Sequence, residues 1–310
     1  MNEPIEIQTS LNGHLRAPVV SVGGLRETAD ASRARLLESS VGLVEDLRSP
    51  GVRLRQSPEQ FSADFQVCLP YRGFFVWHVG SDDVVADANQ VLFVSAGESY
   101  YLSQPRSDDY AELIITPDPE LLGEVADRRD APLSSHPFFK RRSRCADLDL
   151  QHLRTRFLYS AICGDWTGLA AEESTLRLLR QALKADATGG EASQSTRRLI
   201  ARAKEFLEAN LASPVRLAHV ARAAGASPAY LTDVFRRIEG VPLHRYLTQL
   251  RLARALIELP HASDLTTLAI DLGFSSHSHF TAVFRRAFGC TPSRFRDSSR
   301  TTAGNRRLPA

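Results

Sequence analysis

The sequence is poor in the residue types that carry covalent, redox or metal chemistry. Its 310 residues include four cysteines, Cys68, Cys145, Cys163 and Cys290, and no two of them form a C-x-x-C pair. Neither a zinc site nor a disulfide framework is therefore indicated. No apolar run is long enough to cross a bilayer, and the N-terminus has neither the basic start nor the apolar core of a secretory signal. These absences predict a reduced, cytoplasmic protein that does not enter a membrane.

The motifs of common catalytic sites are also missing. The sequence contains no G-x-S-x-G, no phosphate-binding glycine loop and no H-E-x-x-H. Residues 61–116, where strand patterns concentrate, hold one histidine, His78, and a lone histidine on a strand is more often a structural residue than a metal ligand. The H-S-H at residues 277–279 lies at the start of a predicted helix, where capping explains it better than metal binding. We therefore predict no enzyme activity, no metal and no cofactor.

Charge is distributed unevenly along the chain. The net charge is +2, but residues 195–296 hold 15 lysines and arginines against 7 aspartates and glutamates, a net of +8. Residues 1–194 hold 20 against 28, a net of −8. A basic segment on an acidic body is typical of a polyanion-binding module joined to a domain with another task. Chance segregation of surface charge is the alternative that charge alone leaves open.

Strand patterns and helical patterns occupy different parts of the chain. Between residues 61 and 116 the segments DFQVCLP, GFFVWHV, QVLFVSAG and AELIIT are rich in β-branched and aromatic residues and are bounded by turn formers. Their spacing predicts a small antiparallel barrel or sandwich, with a hairpin turn at residues 80–83. Apolar residues three and four positions apart predict helices over residues 119–187 and after residue 195, and an earlier helix over residues 30–46.

The segment ADATGGEASQS, residues 185–195, is small, polar and glycine-containing, which predicts a flexible linker. The chain is accordingly predicted to be α+β. Residues 1–184 form an N-terminal domain with an antiparallel β-barrel or sandwich and helices, and residues 196–298 form an all-α domain. The last residues, 299–310, are predicted to be a disordered tail.

The basic domain contains one pattern twice. GASPAYLTDVFRRIEGVP at residues 225–242 and GFSSHSHFTAVFRRAFGCTP at residues 273–292 share T-x-V-F-R-R-x-x-G. Each copy reads as helix, glycine turn, helix, which is the plan of the helix-turn-helix motif. A longer helix that begins near Pro242 joins the two copies, so that they can enter successive major grooves on one face of DNA, about 34 Å apart.

The residues that face away from the apolar core of each copy are small or polar, which lets a helix lie deep in a major groove. Positions predicted to face DNA bases are Ala229, Thr232 and Asp233 in the first copy and His277, Ser278, Thr281 and Ala282 in the second. Positions predicted to contact phosphates are Arg216, Ser227, Arg236, Arg237, Ser276, Arg285 and Arg286. The alternative is a helical bundle with solvated arginines. Two copies within one basic domain favour DNA binding.

The second copy and its flanks, LAIDLGFSSHSHFTAVFRRAFGCTPSRFR, resemble the C-terminal DNA-binding domain of the AraC/XylS family of bacterial transcription regulators. The resemblance covers residues 199–296 and follows the pattern A-x-x-x-G-F, a polar run, F-x-x-x-F-x-x-x-x-G, then P-x-x-[FY]-R. It implies a sequence-specific transcription regulator whose partners are double-stranded DNA, RNA polymerase and a second copy of the chain. The matching positions are Ala269, Gly273, Phe274, Phe280, Phe284, Gly289, Pro292, Phe295 and Arg296.

One departure concerns base recognition. No arginine, glutamine or asparagine stands at the predicted base-facing positions, so the strong bidentate contacts to guanine or adenine are missing there. Thr232 can touch a thymine methyl group. Asp233 can accept a hydrogen bond from a cytosine amino group, or it can act as an anion that repels wrong sites. The base preference therefore stays open.

The family resemblance also implies an N-terminal sensor, a cupin-like β-barrel with helices that binds an effector and dimerises. Residues 26–116 resemble the XylS-like variant, in which a helix precedes a small barrel. Catalytic cupins carry clustered histidines, whereas Tyr100 and Tyr101 follow the AGES turn here. The candidate effector-pocket residues are Tyr71, Arg72, Phe75, Trp77, His78, Tyr100 and Arg106.

Two alternatives remain open within this sensor domain. Arg72 or Arg106 can clamp an anionic ligand, or Phe75 and Trp77, which alternation places on one face, can simply fill the barrel. Leucines and a phenylalanine on the following helices can form a dimer seam or pack on the barrel. That set is Leu148, Leu153, Phe157, Leu176, Leu179 and Leu183.

The hypothesis is a DNA-binding regulator with a sensor domain. Its effector enters the barrel and changes how the sensor domains position the two DNA-contacting helix-turn-helix units. Two other classes compete with it. One is an enzyme with a catalytic barrel and an accessory helical domain, which the lack of clustered histidine, aspartate and glutamate disfavours. The other is a non-specific architectural binder or helical interaction module, which would show a steep salt dependence without base preference.

Overall fold

The computed structural model describes residues 31–51, 55–105, 109–126, 139, 141–163, 167–184 and 193–304. Arg106 and residues 185–192 of the predicted linker lie outside these ranges. So do residues 305–310 of the predicted tail.

The described N-terminal residues form ten strands and three helices in an α+β arrangement. The strands are β1 (Ser32–Ser39), β2 (Gly42–Ser49), β3 (Gln60–Phe61), β4 (Gln66–Arg72), β5 (Phe75–Val79), β6 (Asp82–Ala86), β7 (Gln90–Val94), β8 (Ser99–Ser103), β9 (Tyr110–Pro117) and β10 (Ser143–Cys145). The helices are α1 (Pro119–Val125), α2 (Leu148–Cys163) and α3 (Gly168–Leu183).

The strands form two antiparallel sheets that face each other. The larger sheet has the order β1-β2-β9-β4-β7-β10, and the smaller has the order β3-β8-β5-β6. The predicted hairpin turn joins β5 to β6 through Gly80, whose φ of 58° is in the left-handed region that favours glycine. The barrel-like antiparallel fold that the strand spacing predicted is confirmed.

Residues 32–49 form the hairpin β1–β2, so the prediction of a helix over residues 30–46 is wrong within the described residues. β2 pairs along its whole length with β9. At the turn, Gly42 has a φ of 131°, and a Cβ there would overlap the carbonyl oxygen of Thr116. Pairing with a strand about 70 residues away therefore decides the structure, because tertiary context overrides a local helical pattern of apolar residues.

The larger sheet has two apolar faces. One face packs against α2 and α3, where Phe157, Leu178 and Leu179 are buried beside Leu113 and Ile115. The other face looks toward the smaller sheet. Of the helical residues proposed for either a dimer seam or barrel packing, Phe157, Leu179, Leu153 and Leu183 pack against the barrel of the same chain. Leu148 packs against the core that contains the phenylalanines of the last helices, and Leu176 is half-buried.

The C-terminal residues are entirely helical within the described range. The helices are α4 (Gln194–Ala209), α5 (Leu217–Ala224), α6 (Pro228–Glu239), α7 (Leu243–Glu258), α8 (Leu265–Asp271), α9 (His277–Phe288) and α10 (Pro292–Gly304). Helix α10 includes residues 299–304, which the sequence pattern assigned to the tail.

Helix α7 belongs to two apolar cores at once. Its Tyr246 and Leu250 pack into a core with Phe235 of α6. Its Leu252 and Leu256 pack into a second core with the phenylalanines of α9. Both helix-turn-helix units therefore pack against the same continuous helix, α7.

Candidate functional site

The first helix-turn-helix unit is α5, a glycine turn and α6. Helix α5 ends at Gly225, whose φ of 74° is left-handed, and α6 begins after Ser227. The hydroxyl of Ser227 accepts a hydrogen bond from the backbone N–H of Tyr230 at 3.3 Å, and Pro228 occupies the first helical position. A serine cap followed by proline starts a helix because both satisfy or remove backbone donors that have no partner in the first turn.

The second unit repeats this construction with α8 and α9. Asp264 caps α8 by accepting from the N–H groups of Thr266 and Thr267, and Ser276 caps α9. The turn between them holds Gly273 at a φ of 81°. A Cβ at Gly273 would lie 2.5 Å from the carbonyl oxygen of Leu211, so this turn has room only for glycine.

The predicted base-facing residues lie on the solvent side of both second helices, called here the reader helices. Each of the seven side chains is exposed or half-buried, while Leu231 and Phe280, which lie between them in sequence, are buried. Thr232 donates its hydroxyl hydrogen to the carbonyl of Ala229 at 2.8 Å, so its methyl group remains for apolar contact. Thr281 differs from the others, because its hydroxyl oxygen is buried and has no hydrogen-bond partner among the described residues.

The predicted phosphate contacts are all exposed, and the arginines among them are unpaired within the described residues. Arg236 and Arg237 stand in the last turn of α6, and Arg285 and Arg286 stand in the last turn of α9. No carboxylate of the described residues forms an ion pair with them or with Arg216. Unpaired exposed arginines can replace the counterions of DNA phosphates without first breaking a salt bridge.

Arg251 of α7 joins the two units, a role that the sequence pattern did not reveal. Its Nε donates to the carbonyl of Leu211 at 2.9 Å, and Nη2 donates to the carbonyl of Ser213 at 3.0 Å. Its guanidinium lies 6.0 Å from the ring centre of Phe274 in the turn of the second unit. These contacts connect the chain entering α5 with the α8–α9 turn.

Buried hydrogen bonds join the N-terminal domain to α6 and α7. Tyr246 donates to Asp87 Oδ2 at 2.7 Å, and Gln90 donates to Glu239 Oε2 at 3.0 Å. The other oxygen of Glu239 lies 2.7 Å from the ammonium of Lys204. All five side chains are buried. Because Glu239 is the last residue of the first reader helix, the domain contact reaches the reader itself.

Two further bonds extend this network to α2. Asn89 donates from Nδ2 to the carbonyl of Tyr246 at 2.9 Å and accepts at Oδ1 from Gln151 at 2.8 Å. Burial raises the pKa of Asp87, and the positive charge of Lys204 opposes that shift. The network thus contains two carboxylates and one ammonium, and it depends on Lys204 for charge balance.

Helix α2 also contacts the second unit. The ring of His152 lies 5.5 Å from that of Phe288 and 6.2 Å from that of Phe295. Burial lowers the pKa of His152, with Arg156 acting in the same direction, which favours the neutral imidazole. The N-terminal domain therefore touches both helix-turn-helix units.

A cavity of about 70 Å³ lies between the two sheets. Of the predicted effector-pocket residues, Phe75, Trp77 and Tyr100 line it. Phe75 and Trp77 alternate on one face of β5, as predicted. The cavity also contains Arg33 and Glu112, which sequence reasoning missed, although a glutamate inside the apolar strand segment AELIIT was a usable signal.

Three predicted pocket residues face elsewhere. Tyr71 points to the helix side of the larger sheet and donates to Asp46 Oδ1 at 2.5 Å. Arg72 forms an ion pair with Asp109 at 2.9 Å.

His78 is on the outer face of β5, where its two ring nitrogens lie 2.7 Å from Asp83 Oδ1 and from Ser103 Oγ. Its neighbours Trp77 and Val79 are buried while it is half-buried. Both ring nitrogens are therefore occupied by local partners, as expected of a structural histidine.

Within the described ranges, no group of three or more histidine, cysteine, aspartate or glutamate side chains is placed to hold a metal ion. None of the described helices is both long and apolar enough to cross a bilayer.

The geometry defines a protein with a double helix-turn-helix unit. Residues 220–298 match the family described as "Helix-turn-helix domain". The regulatory protein SoxS of Salmonella typhimurium is 36% identical over 93 residues, which are 30% of this chain and 87% of SoxS. The transcriptional activator RhaR of Klebsiella pneumoniae is 34% identical over 98 residues, 31% of this chain and 35% of RhaR. The chain belongs to the AraC/XylS family of transcription regulators.

The shared segment is the C-terminal domain. The match covers 39% of YkgA of Escherichia coli and 32% of PocR of Salmonella typhimurium, so the chain spans well under two thirds of these longer relatives. An AraC-type regulator structure from Chromobacterium violaceum is 28% identical with a TM-score of 0.32, over 34% of this chain and 96% of that one. ToxT from Vibrio cholerae is 10% identical with a TM-score of 0.31, over 82% of this chain and 96% of ToxT.

Proposed function

We propose that this chain is a sequence-specific DNA-binding transcription regulator that reads two successive major-groove segments with α6 and α9. The observation that carries the proposal is the pair of reader helices, each with a small, polar, solvent-facing surface and unpaired arginines in its last turn. A helical bundle that served packing alone would not need both features in both copies.

The spacing of the readers supports this function. Helix α7 has 16 residues, which at 1.5 Å per residue gives a rigid connection of about 24 Å. Arg251 fixes the two units against each other. Rigid readers separated by a helix of this length suit two groove segments one helical turn apart, about 34 Å centre to centre.

The residue roles follow from exposure and chemistry. The seven base-facing positions supply small groups, and Asp233 supplies an acceptor suited to a cytosine amino group. The exposed arginines and the capped starts of the readers at Ser227 and Ser276 supply phosphate contacts. Because the base-facing side chains are short, phosphate contacts contribute a large share of the affinity.

The domain roles are part of the same proposal. Residues 1–184 act as an effector-sensing and dimerising domain, residues 185–195 link it to the DNA-binding domain at residues 196–298, and the active regulator is a cytoplasmic homodimer that contacts RNA polymerase. The protein is a regulator and not an enzyme. The buried contacts of Asp87 and Gln90 with Tyr246 and Glu239 support a sensing role, because they connect the barrel to the first reader. An effector acts by changing the relative stability of two such domain arrangements.

Selection of duplexes from a randomised library by the purified full-length protein tests the DNA-binding part. We expect a recovered motif of two blocks about one helical turn apart. Asp233→Ala should relax preference in one block only, and Ser278→Ala in the other only. Recovery of unenriched DNA, with binding that disappears in moderate salt, would replace this function with that of an architectural binder.

A further inference from the structure

The cavity between the two sheets is enclosed mainly by apolar side chains. Leu47, Cys68, Leu92 and Ile114 of the larger sheet line it on one side, and Leu102 of the smaller sheet faces them. A volume of about 70 Å³ corresponds to roughly five to seven heavy atoms, since one water position needs about 10–15 Å³ on this measure. The space is thus suited to a very small organic molecule.

Two aromatic pairs form much of the wall. The rings of Phe75 and Tyr110 have centroids 4.8 Å apart, and those of Trp77 and Tyr100 are 6.0 Å apart in an edge-to-face arrangement. All four residues line the cavity. Aromatic faces attract organic cations through the negative charge above the ring, and this attraction grows when water is excluded.

Three deeply buried side chains in the wall carry a polar atom without a hydrogen-bond partner among the described residues. The atoms are Oε2 of Glu112, Oε1 of Gln60 and Nε1 of Trp77. Each residue is more than nine-tenths buried and lines the cavity. Buried polar groups are nearly always paired, and leaving one unpaired costs on the order of 1–3 kcal/mol. Two acceptors and one donor in the wall of the cavity therefore have no protein partner among the described residues.

Two charged groups line the cavity, the carboxyl group of Glu112 and the guanidinium of Arg33. Arg33, at the edge of the cavity with a side chain that is 22% exposed, uses Nη1 to pair with Glu45 at 3.1 Å. Burial raises the pKa of Glu112 to about 7, and the positive charge of Arg33 limits the rise. The single positive charge of Arg33 lies near two carboxylates, Glu45 and Glu112, and its buried Nε has no hydrogen-bond partner among the described residues. An anionic ligand would add a third negative charge to this group. A cationic ligand would supply the missing charge.

We propose that the cavity binds a small primary ammonium compound that also carries an oxygen acceptor, with its N–H groups donating to Glu112 and Gln60 and its oxygen accepting from Trp77. The carbon chain lies against the four aromatic rings. The binding site itself does not depend on the proposed function. Only the role of the compound as the effector of the regulator rests on it.

Calorimetric titration of the full-length protein at pH 8 with 4-amino-1-butanol tests the inference, because this probe has six heavy atoms, one ammonium and one hydroxyl. The neutral 1,4-butanediol and the anionic 4-hydroxybutyrate are matched controls of similar size. We expect saturable binding of the amino alcohol and at least tenfold weaker binding of both controls. Equal or tighter binding of either control, or absence of amino-alcohol binding, would overturn the proposal.

Two variants test whether binding depends on the carboxylate in the cavity or on any buried carboxylate of the sheet. Glu112→Gln removes the charge and keeps the shape, so binding of 4-amino-1-butanol should weaken roughly 10- to 100-fold, as expected for one charge-assisted hydrogen bond. Asp46→Asn changes a buried carboxylate on the opposite face of the same sheet and should leave binding unchanged. Retention of binding in Glu112→Gln, or an equal loss in Asp46→Asn, would contradict the site.

A parallel measurement of affinity for the selected duplex distinguishes this inference from the proposed function. If the amino alcohol binds but leaves DNA affinity unchanged, the cavity assignment holds and the effector role fails. If the duplex motif is recovered but no ammonium compound binds, the cavity assignment fails and the DNA-reading function holds.

Discussion

Replacing Glu112 by glutamine should stabilise the protein at high pH and not at low pH. The carboxyl is buried in the barrel, where Arg33 from β1, Cys68 from β4, Tyr100 from β8 and Tyr110 from β9 are the ionisable groups that share its cavity. Arg33 carries a positive charge at neutral pH, whereas burial raises the pKa of Cys68 and of Tyr100 and keeps both groups neutral there. Ionisation of Glu112 is therefore opposed by burial and helped by one arginine.

The size of the effect follows from the two pKa values. Burial raises the pKa of Glu112 to about 7 in the folded protein, against 4.5 in the unfolded chain. The difference corresponds to about 3 kcal/mol. Because the folded state holds the proton more tightly, wild-type stability falls as pH rises from about 4.5 and levels off above about 7. Glutamine does not titrate, so the variant lacks this fall.

Urea unfolding of wild type and Glu112→Gln at pH 4.5 and pH 8, followed by tryptophan fluorescence, measures the effect. All other titrating groups are the same in both proteins. Their contributions therefore cancel when the unfolding free energy of one protein is subtracted from that of the other at the same pH. We expect the free energy of unfolding of the variant, relative to that of wild type, to be about 3 kcal/mol higher at pH 8 than at pH 4.5. A stability difference that is the same at both pH values would refute the assignment of a buried carboxyl with a raised pKa to this position.

Three further predictions concern the helical domain. Lys204→Met leaves Glu239 buried without its cation and should lower stability by about 3–5 kcal/mol, seen as a lower urea midpoint. Gly273→Ala combines a left-handed φ with a clash against backbone and should cost more than about 2 kcal/mol, measured by thermal unfolding. Arg285→Ala removes one phosphate contact and should reduce the slope of log affinity against log salt by about 1, measured by fluorescence anisotropy.

Each of these changes has a matched control in the chain. Lys184→Met removes an exposed lysine and should leave the urea midpoint unchanged. At Gly289 a Cβ would meet open space at a φ of 72°, so alanine there should cost about 1 kcal/mol. Arg177→Ala removes an exposed arginine of α3 and should leave the salt slope unchanged. If a control and its test variant gave equal effects, the structural reason given for that test variant would be wrong.

The helix-turn-helix units could be predicted from sequence because their signals are local. Ser227-Pro228 and the glycines at residues 225, 240, 273 and 289 mark helix starts and ends within one or two positions of the structure. The apolar spacing of Phe235 and Phe284 fixes which face is buried, and the exposed face then follows. Local capping and periodicity carry this information without long-range contacts.

The barrel and the domain contact could be predicted only in part. Strand alternation placed Phe75 and Trp77 on one face, but it could not tell which face of each strand looks into the cavity, so His78 and Tyr71 were grouped with them. The unpaired Oε2 of Glu112 lies in a cavity that forms only where the two sheets pack together, so the sequence around Glu112 does not reveal it. The bond between Asp87 and Tyr246 joins residues 159 positions apart, and no local pattern encodes it.

The most direct test of the two-reader account is to insert five base pairs between the two blocks of the selected duplex. Half a helical turn moves the second block to the opposite face of the DNA, and α7 with Arg251 holds the readers too rigidly to follow. The account predicts that affinity falls to that of a duplex whose second block is scrambled. Unchanged affinity after the insertion, on a site where scrambling does weaken binding, would contradict the claim that the two readers act as one rigid body.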